Sequence, residues 1–457
     1  MSRLRLVSIS LALVAAMNAS ARAQYQEHPA LAPFGDHFLV VWSQHDGGAS
    51  RLHWSRVYGC TLDGPSARLT TGYESELRPA AASGADWGLV VWEAWDAYTP
   101  RVRAAEIGTA LPAPLPSAAL SGAGTARRPS CAILEDTGLV LWEEDGRILH
   151  SRWSRGGGAA DPGGIETAPS PDLQHTPRVA AGSDGFLAVW SEAPPAGPAR
   201  VVALRFDAAA TRLGTAAVVS DTTRPAHTPD VAAGGERFLA AWNVLDPGSA
   251  AIAAVFLDAA GLPLSPVHEL AGGPAQNFVP RVAAGAEGFH LLWVVQDAGG
   301  RGLLEAVVGD DGGLDPVGGR EVAPRSSFAA DPAIAARPGV GLCAWRRPAP
   351  EDADSLETAC WLENVGGSAE PAVRLRLPSA WPNPFRNSVT VDVGAGISGS
   401  IRVLDVRGRL VRSLPVDPGT ARVTWDGRTD GGVAAPAGKY LILAPGADRG
   451  VAVVKGD

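Results

Sequence analysis

Two histidines sit in nearly identical surroundings, "HTPRVAAG" from His175 and "HTPDVAAG" from His227, each two residues ahead of a proline. Equivalent positions ahead of five other prolines hold Glu27, Leu77, Arg127, Phe278 and Ala330. Thirteen residues after each proline comes a tryptophan, and the stretches just beyond the tryptophans carry Glu93, Glu143, Glu144, Glu192, Asp246 and Asp297. Imidazoles and carboxylates gathered on one rim can take a cation through oxygen ligands, or hold a polar ligand. Two carboxylates about 5–10 Å apart in a deep pocket would instead serve a glycoside hydrolase. Solvated loops use the same residue types. The side chains also differ from copy to copy, which fits one asymmetric site or none.

Other chemistry is missing from the pattern. The sequence contains no H-E-x-x-H pair, no Walker loop and no EF-hand loop. "SDGFLAVW" (Ser183 to Trp190) has a passing likeness to sialidase boxes without their spacing. "GAGISG" (Gly394 to Gly399) satisfies G-x-G-x-x-G but leads into the strand-like "SIRVLDV", so no helix N-terminus receives a phosphate. No catalytic residue, metal ligand or cofactor site is assigned.

The rim must be positioned by a repeat. The frame from proline to tryptophan occurs at 29–42, 79–92, 129–142, 177–190, 229–242, 280–293 and 332–345. No copy has an insertion inside the frame, whereas the segments between frames vary. Each unit reads as four short strands, in the fourth copy "RVAA", "GFLAVW", "RVVALRFD" and "GTAAVVS". Continuous apolar runs such as "FLAVW" mean strands buried on both faces. A four-stranded sheet with two apolar faces must stack on copies of itself, and closing the stack into a ring covers every face. The expected fold is therefore all-β, a seven-bladed β-propeller over residues 24–377. Its seven frame tryptophans are expected to be packed, since stacking on a carbohydrate needs an exposed ring. Only Gln24 to His28 precede the first frame, so the last blade's outer strand is expected from "AVRLRL" (Ala372 to Leu377). The units resemble a family of roughly fifty-residue repeats of the "P-x-V-A…Y-L-V-V-W" kind in secreted bacterial proteins. That resemblance spans Pro29 to about Gly367 and implies a fold without implying an activity.

The bulk numbers narrow the partners. With 39 basic and 48 acidic residues among 457, the net charge is −9. That balance offers no footprint for nucleic acid or anionic lipid. Arg3 and Arg5 precede the apolar "LVSISLALVAAM", and small residues follow at Ala21 and Ala23. Residues 1–23 read as a signal peptide, with Gln24 the expected mature start and cleavage after Ala21 the alternative. No run approaches the ~20 apolar residues of a membrane span. None of the four cysteines makes a C-x-x-C pair. Cys343 and Cys360 fall on consecutive predicted strands of one repeat and are expected within disulfide reach, with two buried free thiols the alternative.

After Leu377 the texture changes. Residues 378–457 contain "WPNPF", "VTVDV", "IRVLDVRGRLVRSL", "ARVTWDGRTDGG" and "GKYLILA", strands joined by tight glycine-bearing turns that suit a small Ig-like β-sandwich. The segment resembles the C-terminal sorting domain of type IX secretion cargo and the similar Ig-like domain of flagellar hook-capping proteins. The matching residues are Pro382, Asn383, Pro384 and Phe385; Asp405, Gly408 and Arg409; Trp425, Asp426 and Gly427; Gly438 and Tyr440; and Lys455. Trp381 stands where that family has tyrosine, and the chain ends "VVKGD" rather than in a more basic or apolar tail. The resemblance implies secretion machinery as a partner and passage through the periplasm to the cell surface or beyond.

The expectation for function is an exported, non-enzymatic propeller that binds an unknown protein or glycan. A polysaccharide-directed hydrolase or lyase using the rim carboxylates is the alternative, and a self-associating surface-layer component is a second.

Overall fold

Each frame folds as the first hairpin of a small antiparallel sheet. In the fourth copy the strands are Leu173–Ala181, Gly185–Ala193, Arg200–Asp207 and Arg212–Val218, paired in that order. The structure is a computed structural model that describes residues 5–9, 26–45, 49–58, 61–70, 75–96, 98–108, 116–286, 288–348, 355–362, 380–381, 385–392, 399–405, 409–416, 422–443 and 450–456. Among them the one helical element is the turn Arg325–Ser327, and no helix is long and apolar enough to cross a membrane.

Seven sheets succeed one another over residues 26–68, 75–119, 126–166, 173–218, 226–271, 276–323 and 330–362. The first strand of each lies beside the first strand of the next, and Ala330–Arg337 lies beside Gln26–Phe34. The arrangement is propeller-like. In the seventh sheet the repeat's own described strands are Ala330–Arg337, Val340–Arg347 and Ser355–Leu362, paired in that order. Ala372 to Leu377, expected as its outer strand, lie outside the described residues.

The proline explains an irregularity that all seven hairpins share. Proline has no N–H for a ladder, so inside a sheet it belongs at a bulge. In the third sheet Arg127 pairs with Glu143 and Ser130 with Leu141, which leaves Arg128 and Pro129 opposite Trp142 alone. The same two-against-one bulge recurs in the other six. The residue before each proline is left-handed: His28, Arg78, Arg128, Thr176, Thr228, Val279 and Asp331, with φ from 48° to 53°. Side chains other than glycine seldom adopt that conformation, least of all before proline, so each bulge stores strain that the surrounding sheets hold in place. The constant thirteen-residue offset is the path around the hairpin that sets the tryptophan against the bulge.

The hydrophobic cores lie between sheets. Leu187, Val189, Val201 and Ala203 face one core shared with the fifth sheet, while Phe186, Ala188, Trp190 and Val202 face another shared with the third. Period-two alternation therefore feeds two interfaces from one apolar run. From the second sheet to the seventh, the frame tryptophan joins the core shared with the preceding sheet. None of the seven tryptophans is more than 3% exposed, so none stacks on a surface ligand.

The cysteine pairing departs from expectation. Cys360 is disulfide-bonded, but Cys343 is a buried free thiol, as is Cys131. The register aligns Cys343 with Ala359 and Leu342 with Cys360. Residues offset by one along a ladder point to opposite faces, so Cys343 and Cys360 cannot meet. Being on consecutive strands was not enough.

The C-terminal residues form a separate compact unit with a three-stranded and a four-stranded sheet. Both sheets contribute to one core, which includes Phe385, Val389, Ile401, Trp425 and Tyr440. The Trp425 ring meets Phe385 at 5.3 Å and Tyr440 at 4.9 Å, edge-on to both. The Trp425 indole N–H donates to the Arg428 carbonyl, and the Tyr440 hydroxyl to the Pro436 carbonyl. Asp405 accepts from the Arg409 backbone and side chain across a hairpin turn, and Asp426 accepts from the Arg428 N–H. Gly427 has φ +68°, and a Cβ there would press on Lys455 and Phe385. Gly438 begins the strand that pairs with Lys455. Pro382, Asn383, Pro384 and Gly408 lie outside the described residues.

Candidate binding rim and channel

The bulge brings two positions of every frame to the same end of its hairpin. The residue two before proline pairs with the residue just after tryptophan, as Leu77 with Glu93, Arg127 with Glu143, His175 with Ser191 and His227 with Asn243.

Most rim carboxylates are engaged in the framework. Buried Glu93 accepts the backbone N–H of Arg128 in the next sheet at 2.8 Å, and also meets Arg78 Nη1 at 3.2 Å and Trp95 Nε1 at 3.3 Å. Glu143 accepts from the Thr176 N–H at 3.4 Å, and Asn243 from the Val279 N–H at 2.9 Å. These side chains satisfy left-handed residues whose N–H has lost its ladder partner. Glu144 and Glu192 instead accept indole N–H groups, from Trp142 at 2.8 Å and Trp190 at 3.3 Å. Asp246 pairs with Arg224 at 2.5 Å and Asp297 with Arg325 at 3.3 Å. Arg127 lies over the Trp95 ring, 5.3 Å from its centroid. Among the described residues, no group of three or more His, Cys, Asp or Glu is placed to hold a metal ion.

The two histidines do come together. With Arg128, Thr176, Ser191 and Thr228 they line a cavity of about 450 Å³. His175 Nδ1 lies 3.2 Å from Glu143 Oε1, and the other oxygen of that carboxylate takes Arg128 Nη1 at 2.7 Å. Burial, and then the neighbouring His175, hold the His227 imidazole below its ordinary range, so it is mostly neutral at pH 7. An imidazole braced by a carboxylate at Nδ1 can hold a hydroxyl or move a proton at its other nitrogen. The hydroxyls and Arg128 add donors for an acceptor-rich ligand.

A second cavity, of about 490 Å³, is lined by the first strands of all seven sheets. Around it stand the left-handed residues and those just after the prolines: Ala30, Ala80, Ser130, Arg178, Asp230, Arg281 and Ala333. The sequence reading passed over this position because it sought residues at loop ends. A signal was present: four copies carry a small residue there and three carry a charge.

Residues 386–449 match the family model of the FlgD Ig-like domain. No curated protein matches the chain by sequence. Among solved structures, an ulvan lyase from a new family of polysaccharide lyases is similar at 10% identity and TM-score 0.51, over 78% of this chain and 95% of its own. A protein of unknown function from Dyadobacter fermentans is 12% identical with TM-score 0.47, over 79% of this chain and 99% of that one. An endo-arabinase from Bacteroides thetaiotaomicron is 13% identical with TM-score 0.36, over 54% and 96%. At such identities the ulvan lyase similarity bears on the propeller-like β fold alone.

Proposed function

We propose that the chain is an exported, non-enzymatic binding module, a seven-bladed β-propeller followed by an Ig-like β-sandwich. Residues 1–23 are its export signal, and 378–457 direct type IX-like secretion or surface attachment. The observation that carries the binding reading is the use of the rim carboxylates. Glu93 and Glu192 are buried, and Glu93, Glu144 and Glu192 accept backbone and indole donors without lining the pocket, which is made of imidazoles, hydroxyls and Arg128. The closed order of first strands supports the blade count, and the FlgD Ig-like match supports the second domain.

The test is a glycan and protein-partner binding screen on the mature chain, followed by replacement of His175 and His227 by alanine. Loss of binding with little loss of stability supports the pocket. Contacts mapped to the opposite face, near the turns at Ser183 and Gly235, overturn it.

A polysaccharide-directed hydrolase or lyase is the second reading. It is favoured by His175, whose Nδ1 is braced by Glu143 beside Arg128, and by the ulvan lyase among the structures similar in fold. Turnover of an acidic polysaccharide that disappears in His175→Ala would establish it over the first.

A further inference from the structure

The channel is electrically unfinished. Two guanidiniums, Arg178 and Arg281, line it on either side of Asp230, each extending from the residue after its frame proline. Both donate to the carbonyl of that proline at 2.9 Å, which holds each base against its own strand. Asp230 is shared out. One of its oxygens lies 3.4 Å from Arg178 Nε, and the other accepts the Val282 N–H at 2.9 Å. Among the described residues Arg281 has no carboxylate within salt-bridge distance. Arg128 also reaches this cavity, but its charge is met by Glu143. The opposite wall is small, with Ala30, Ala80 and Ala333 in the equivalent places.

Two further observations point to an occupant. Thr176 Oγ1 is buried, belongs to a residue lining the same cavity, and has no hydrogen-bond partner among the described residues, while buried His28 Nδ1 meets Glu27 Oε1 only at 3.8 Å, beyond hydrogen-bond distance. Buried polar atoms without partners are uncommon and mark a place where something else completes the bond. Arg178 is itself held down, to about 10, by burial first and then by Arg281, with Asp230 acting in the other direction. Like charges brought close together repel, and an anion between them relieves that repulsion.

We propose that the channel is an oxyanion site, in which a carboxylate or sulfate sits between Arg178 and Arg281 and accepts the hydroxyl proton of Thr176. Planar guanidiniums suit such groups because each offers paired donors. The oxyanion is either a free ion or the acidic group of a saccharide chain entering from the rim. The site shares Thr176 and Arg128 with the pocket between His175 and His227 but uses neither imidazole, and Arg281 lines the channel without lining that pocket, so Arg281→Gln tests it separately.

The experiment uses the mature full-length chain, with sodium sulfate and a sulfated oligosaccharide as probes and the neutral oligosaccharide as control. Binding is read by calorimetry and by thermal melting, for the wild type, Arg281→Gln and the exposed control Arg301→Gln. Arg281→Gln is expected to fold, since Arg281 bonds only its own strand, and to melt at or above the wild type without added anion. Sulfate should raise the wild-type melting temperature more than that of Arg281→Gln, a difference that cancels the general stabilisation of folded proteins by sulfate excluded from their surface. Affinity should fall about tenfold or more in Arg281→Gln and stay unchanged in Arg301→Gln. Binding of both probes, lost in Arg281→Gln, supports a site for free ions. Binding of the acidic oligosaccharide alone, lost in the same variant, supports a saccharide site. Absence of binding to the wild type, or equal binding by Arg281→Gln, overturns the proposal.

Discussion

The carboxylate of Glu93 in the second sheet accepts the backbone N–H of Arg128 in the third at 2.8 Å. The bond fastens a strained, left-handed residue of one sheet to the strand end of its neighbour. Glu93→Ala leaves that N–H and the Trp95 indole without their acceptor, and should cost about 1–3 kcal/mol in urea unfolding. Glu93→Gln keeps an oxygen in place and should cost less. Equal losses for the two variants would show that the charge, and not the acceptor, matters.

Gly318 and Gly319 separate strain from space. Both have φ +78°, but a Cβ on Gly319 would run into the indole of Trp293, while one on Gly318 meets nothing within 4 Å. Gly318→Ala should therefore cost about 1 kcal/mol, from backbone conformation alone. Gly319→Ala should cost about 2–4 kcal/mol, because strain and overpacking add. Chemical denaturation of the two variants side by side tests the difference.

His150 should make the protein acid-sensitive. It is buried edge-on to Phe206 and 3.2 Å from the Thr167 hydroxyl, and burial pushes its imidazole from the ordinary 6.5 down to about 4. The unfolded chain therefore binds the proton more readily than the folded one. The contribution is full above pH 6.5 and is lost as the pH falls toward 4, at most about 3 kcal/mol in total. His150→Gln removes the titrating group, and its stability should vary less over that window than the wild type's.

Among the described residues Cys131 and Cys343 are free and Cys360 is bonded. Peptide mapping of the oxidised protein should recover Cys131 and Cys343 in unlinked peptides and Cys360 in a linkage that does not include Cys343. Burial raises both free thiols far above their ordinary value, so alkylation of the folded protein should leave them unmodified. A Cys343–Cys360 linkage would contradict the strand register.

Truncation after Leu377 tests the tail. The expected product is a folded propeller retained in the periplasm, seen by cell fractionation and protease resistance. Normal surface display would make the tail an adhesion module. Loss of folding would show that residues 24–377 do not fold without the tail.

The sequence by itself determined the repeated unit and the two-part organisation of the chain. Pro177 and Trp190 recur at a fixed offset because a residue without an N–H and a large apolar ring each have few places in a sheet, and both leave a mark in composition. Phe385, Trp425 and Tyr440 stand in the sequence among the residues that carry the tail's resemblance, and the structure packs all three in one core. What each polar side chain does was not legible. Glu93, Glu143 and Glu192 read alike along the chain, yet one meets the next sheet's backbone, one braces a histidine, and one meets its own sheet's tryptophan. A carboxylate's role is set by which donors come within about 3 Å, and here many of those donors arrive from another sheet dozens of residues away. The faces of Cys343 and Cys360 depended on a register that differs by a single residue, which strand order alone leaves open. Arg178, Asp230 and Arg281 face one another because consecutive sheets converge there, and only the assembled tertiary structure brings them into one cavity.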